Sequence, residues 1–203
     1  MLGLACSTDP VWATRALSSL DRILVDHAHC EMKAASNAIA LSARCLAEPE
    51  IVAALVELAE EELDHFKRVL AEIQRRGLAL EPPAEDTYAA LLLKKANASG
   101  RDKSAKGAVA DRLLVGSLIE ARSCERFKLL SAALRGTGEE DHAALADFYD
   151  ELFAAEARHH RVFVELAERV LGDPERARAR LAALAELEAD VVRGLPNDAT
   201  IHG

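Results

Sequence analysis

The stretch EELDHFKRV, residues 61–69, sets Glu62 and His65 three positions apart inside an unbroken helical pattern. The same pair returns in AAEARHHRVF, residues 154–163, as Glu156 and His159. Side chains three apart on a helix stand one above the other, so each pair can aim a carboxylate and an imidazole at one point. A third copy, Glu139 and His142, falls in a turn and the first turn of a helix. Acidic residues favour the dipole there, and we read that copy as structural. His160 follows His159 but points about 100° away, which suits a supporting or surface position better than a ligand.

Around these pairs the chain reads as helix throughout. It has 203 residues, enough for one domain with a substantial core, and half of them are hydrophobic. Gly and Pro are sparse, and 3.6-residue periodicity dominates over the alternation of strands, so the class is all-α. The longest apolar runs, such as AALLL, are far too short to cross a bilayer, and MLGLACSTDP lacks the basic residue and long apolar core of a secretory signal. Cys6, Cys30, Cys45 and Cys124 show no CxxC spacing. Reduced thiols in a cytoplasmic protein are the expectation. The net charge of −9 argues against a generic nucleic-acid binder, so any such contact must come from a local basic patch.

Thr8-Asp9-Pro10 starts a first long helix, with a break near Leu17 and an end near Leu46. Glu48-Pro49-Glu50 turns the chain into a second helix that ends at Arg75-Arg76-Gly77. A loop with two prolines, a short helix around Tyr88–Lys95 and the polar segment NASGRDKSAKG then lead to a third long helix from about Ala108 to Leu134. After RGTG a fourth runs from Glu140 to Val170, and Leu171-Gly172-Asp173-Pro174 stops it and starts a fifth. Short turns force antiparallel neighbours, and a long connection can carry the chain back along a bundle. The expectation is a single domain over residues 1–203, a four-helix bundle with one long crossover. Its helix pairs cover 10–76 and 108–171, its crossover 77–107, and a C-terminal helical extension 173–192.

Glu31 shares a stripe with Leu24, Ala28, Ala35 and Ala38, where a charge is costly unless paired or ligating. It lies about 17 residues before the Glu48-Pro49 turn and Glu62 about 13 after it, so at ~1.5 Å per residue the two are at similar height on antiparallel helices. Glu120, on a stripe with Leu113, Gly116, Ser117, Cys124 and Phe127, matches Glu156 in the same way across Gly138. Two Glu plus two Glu-x-x-His pairs are the ligand set of ferritin-like di-iron and di-manganese bundles. Carboxylates bridge two cations, and one imidazole per metal adds a neutral donor. Four carboxylates balance two ferrous ions, leaving a neutral site in an apolar interior. The candidate ligands are therefore Glu31, Glu62, His65, Glu120, Glu156 and His159.

In LVDHAHCEMKAASNAIAL (24–41), ELAEEELDHFKRVL (57–70), LLVGSLIEARSCERFKLL (113–130) and FYDELFAAEARHHRVF (148–163), the chain resembles the non-haem di-iron tRNA hydroxylases. These enzymes act on 2-methylthio-N6-isopentenyl-adenosine, and the resemblance covers nearly the whole length. It implies a ferritin-like fold and two iron ions, with O2 as co-substrate. One oxygen atom enters the isopentenyl group beside the anticodon, the other leaves as water, and an external donor such as an electron-transfer reductase supplies two electrons. It implies tRNA as partner and no membrane. The basic connection Lys94, Lys95, Arg101, Lys103 and Lys106 could contact phosphates, or simply balance an acidic bundle. Arg176, Arg178 and Arg180 read as a solvated face, and Tyr149, Phe153 and Phe127 as core aromatics or a pocket for the prenyl chain. The metal motif alone also fits a ferritin-like iron store, a rubrerythrin-like peroxidase or a manganese catalase, although the CxxC…CxxC module usual in rubrerythrins is missing.

Overall fold

The computed structural model describes residues 2–83, 87–99, 102, 104–196 and 198–202. Among these the chain forms seven helices and no strand: α1 (Val11–Ser18), α2 (Leu20–Ser42), α3 (Pro49–Arg75), α4 (Thr87–Ala98), α5 (Ala105–Gly136), α6 (Glu140–Leu171) and α7 (Pro174–Gly194). The all-α expectation holds. No helix among the described residues is long and apolar enough to cross a membrane. The helices gather into two compact units, α2 and α3 in one, α1 and α4–α7 in the other.

In the first unit α2 packs along α3. The expected break before α2 falls at Ser19, and α2 ends at Ser42, earlier than the apolar pattern suggested. There the Ser42 hydroxyl donates to the Ile39 carbonyl at 2.9 Å, and Arg44 and Cys45 turn the chain. Pro49 opens α3, where its missing N–H costs nothing. The helix ends where Gly77 takes φ +69, a conformation that a side chain would strain. Its buried stripe runs Ile51, Leu55, Leu58, Glu62, His65, Val69, Ile73, so two polar groups interrupt an otherwise apolar seam. The buried stripe of α2 does the same with His27 and Glu31 among Ile23, Leu24, Ala28, Ala35 and Ala38.

In the second unit α5 and α6 form the long antiparallel pair, with α4 and α7 packed on α5. Ser104 caps α5 by accepting the Gly107 N–H at 3.0 Å, which moves the helix start ahead of the expected Ala108. Gly172 ends α6 in the left-handed conformation, φ +65, and its N–H reaches the Glu168 carbonyl at 2.9 Å. Asp173 then caps α7 by accepting the Arg176 N–H at 3.0 Å.

α5 is buried on nearly every side, including a polar one. The Arg122 guanidinium, fully buried, grips Glu188 of α7 through Nε–Oε1 and Nη2–Oε2, each 2.9 Å, and also reaches Glu125. Thr8 donates from both its N–H (2.9 Å) and its hydroxyl (2.6 Å) to Glu125 Oε2, and the Tyr88 hydroxyl donates to Glu188 Oε1 at 2.9 Å. Arg126 stacks its guanidinium over Trp12 at 5.1 Å. This network locks the rotation and height of α5, and so fixes where Glu120 stands.

Candidate metal centre

The α2–α3 unit carries three of the expected ligands. Glu31, Glu62 and His65 are 4 %, 0 % and 6 % exposed. His65 Nδ1 lies 3.7 Å from Glu31 Oε2 and 3.4 Å from Glu62 Oε2, so the i,i+3 pair of α3 and the carboxylate of α2 converge. His27, not singled out from the sequence, completes the group: its Nε2 is 2.5 Å from Glu31 Oε1, one helical turn away. The signal for it was present, since His27 shares the stripe of Glu31. A lone histidine on an apolar stripe reads as core until its partner is seen.

The α5–α6 unit carries the other three. Glu156 and His159 are each 2 % exposed, with His159 Nδ1 at 3.1 Å from Glu156 Oε2, and Glu120 on α5 is 6 % exposed. Within each unit the buried Glu and His pair, Glu62–His65 in one and Glu156–His159 in the other, offers donors of the kind that hold metal ions. Cys124 sits one turn after Glu120. Burial first, then the charges of Glu156 and Glu120, push its thiol well above the usual range. The thiol is therefore a neutral neighbour, donating to the Phe153 carbonyl at 3.6 Å. Gly116, one turn before Glu120, has no room to spare: a Cβ there would meet the Phe163 ring at 3.3 Å. The helices can approach closely at this level because the residue is glycine.

The neighbours of these triads take structural positions. His160 Nδ1 donates to the Ser117 carbonyl at 2.8 Å, and burial holds its imidazole below the ordinary value. His142 pairs with the Thr137 hydroxyl at 2.9 Å beside the exposed Glu139. Phe127 and Tyr149 pack 5.3 Å apart as buried core. Arg180 departs from the solvated-face expectation. Half-buried, it clamps Asp111 at 2.8 and 2.9 Å and also donates to the Ser99 and Ala96 carbonyls. Of the basic connection, Lys94 and Lys95 lie on α4 and Lys106 in the exposed first turn of α5, while Arg101 and Lys103 lie outside the described residues. All four cysteines are free thiols.

The donor set, carboxylate oxygens and imidazole nitrogens, suits a hard or borderline divalent cation. Each unit presents two carboxylates and one imidazole as candidate donors.

Comparison with known proteins agrees with this chemistry. The solved structure of Protein 43 with aldehyde deformylating oxygenase activity, from Synechococcus, matches at a TM-score of 0.85 and 37% identity. The match covers 98% of this chain and 95% of that one, and the fold is ferritin-like. Over residues 2–203 the sequence matches the tRNA-(ms2io6A)-hydroxylase (MiaE) family. Two relatives are named tRNA 2-(methylsulfanyl)-N(6)-isopentenyladenosine(37) hydroxylase. That of Pseudomonas putida is 37% identical, over 91% of this chain and 85% of its own. That of Salmonella typhimurium is 28% identical, over 98% and 87%. Fold and buried donors define a ferritin-like protein of the carboxylate–histidine type. Within that class, the chain belongs to the tRNA-(ms2io6A)-hydroxylase family.

Proposed function

We propose that this protein hydroxylates the isopentenyl group of 2-methylthio-N6-isopentenyl-adenosine next to the tRNA anticodon. The observation that carries the reading is the family match along residues 2–203, supported by six buried donors of the right kind. Glu31, Glu62 and His65 from one unit, with Glu120, Glu156 and His159 from the other, would hold two iron ions. Bound there, the metal pair supplies the redox chemistry that activates O2. The balance is one C–H bond oxidised to C–OH, one O2 consumed, and one water formed with two electrons and two protons from an external donor, read as a separate reductase.

The chain's own residues do the rest. Burial of all six donors keeps bulk water from the reacting centre, where it would divert oxidising equivalents. The Arg122–Glu188 grip holds α5 so that Glu120 keeps its place. Lys94, Lys95, Arg101, Lys103 and Lys106 form the tRNA-contact candidate, and a cytoplasmic location follows from such a substrate. The test is turnover of iron-loaded protein with tRNA bearing the methylthio-isopentenyl base, O2 and a reductase, read as nucleoside mass. Protein holding two irons that adds no oxygen to this base would sink the reading. The Synechococcus structure favours a second reading, an oxygenase acting on an aldehyde. Conversion of an aldehyde, with the tRNA untouched, would favour it.

A further inference from the structure

We propose that His27 is a positioning residue that fixes which oxygen of Glu31 faces the metal. Glu31 is a carboxylate on α2 whose two oxygens are chemically equivalent. The α2–α3 unit makes them inequivalent. Oε1 is 2.5 Å from His27 Nε2, and Oε2 is 3.7 Å from His65 Nδ1. An ionised carboxylate can only accept, so Nε2–H of His27 donates. Oε1 is thereby engaged by His27, and Oε2 is the oxygen that lies toward His65 of α3.

Two further features make this arrangement firm. His27 is wholly buried, so no water competes for Oε1. His27 and Glu31 are four residues apart on one helix, so the contact persists as long as α2 is helical and needs no other element. Outer partners of this kind fix ligand orientation, and their loss typically weakens metal binding about 10–100-fold. Glu120, the counterpart on α5, has no histidine one turn earlier; that position is Gly116. α2 thus carries a histidine one turn before its glutamate where α5 carries a glycine.

The inference rests on the metal reading above, and the experiment separates the two. Gln at position 27 can set its amide nitrogen as many bonds from Cα as Nε2 of histidine, whereas Asn stops one bond short. Metal-free wild type, His27→Gln, His27→Asn and Glu31→Ala are titrated anaerobically with Co(II) alone, following its d–d absorption, with helicity checked by circular dichroism. The expected result is two Co(II) per wild-type chain and a matching spectrum with affinity within a few-fold in His27→Gln. In His27→Asn one of the two sites should weaken roughly 10–100-fold, with an altered spectrum. A folded His27→Asn that binds both ions like wild type overturns the positioning role. His27→Gln as weak as Glu31→Ala also overturns it, because the imidazole itself would then be the ligand. Wild type that binds no Co(II) removes the metal reading and this inference with it.

Discussion

Arg122 and Glu188 meet through two parallel 2.9 Å hydrogen bonds, with neither side chain reaching solvent. Burial alone would make the guanidinium easier to deprotonate, but the hydrogen bonds and charge of Glu188 outweigh it and hold Arg122 above its ordinary value. Breaking one side of such a pair strands a buried charge, whereas removing both does not. Arg122→Met should therefore cost about 3–5 kcal/mol in denaturant unfolding. Arg122→Met combined with Glu188→Leu should be more stable than Arg122→Met alone. A double variant no better than the single one would mean that packing, not charge, decides the energetics there.

Removing a single imidazole separates metal binding from folding. His65→Ala or His159→Ala leaves all four candidate carboxylates and every cap in place, so far-UV circular dichroism should keep its helical amplitude. Iron per chain after anaerobic loading should fall, and oxygen insertion should drop by orders of magnitude. Unchanged iron content in both variants would remove these histidines from the ligand set.

Tyr88 gives a pH signature. Burial first, then the neighbouring charge of Glu188, raises its phenol well above the ordinary value of 10. In the unfolded chain the same group ionises near that value. The folded state therefore holds a proton that the unfolded state has released, and stability falls as pH rises above about 10. Below that, both states are protonated and Tyr88 adds no slope. Unfolding free energies of wild type and Tyr88→Phe between pH 8 and about 11 should diverge only at the alkaline end, with the Phe variant flatter. Parallel curves would show that another group carries the alkaline loss.

Charge reversal of the exposed lysines tests the RNA side. Lys94→Glu with Lys106→Glu should leave iron content and melting temperature close to wild type. Binding of the modified tRNA should weaken, and its dependence on salt should become shallower because fewer counterions are released. Equal affinity and equal salt slope in the variant would move the tRNA surface elsewhere.

Helix punctuation was readable residue by residue. Pro49, Gly77, Gly172 and Pro174 mark ends that backbone sterics enforce regardless of surroundings. The buried Glu and His pairs were readable for a different reason: Glu62–His65 and Glu156–His159 are local in sequence, and charge on an apolar stripe is conspicuous. What escaped was long-range polar pairing. Arg122, Glu125 and Arg126 look like an exposed face when only their spacing is known, and nothing local announces that Glu188, Tyr88 and Thr8 will cover them. His27 escaped because histidine suits a core as well as a site. The early start of α5 turned on Ser104, a cap whose hydroxyl geometry no periodicity reveals.

The hard stop at Gly172 also limits how the gene can change length. Asp173 caps a fresh helix, and Glu188 meets Arg122 only because fourteen residues of uninterrupted helix, 174–187, stand between it and that cap. One codon inserted between Pro174 and Glu188 would advance the carboxylate by ~1.5 Å and swing it by about 100° around the helix. Arg122 would then face a hydrocarbon side chain. This reading frame of α7 must be inherited whole.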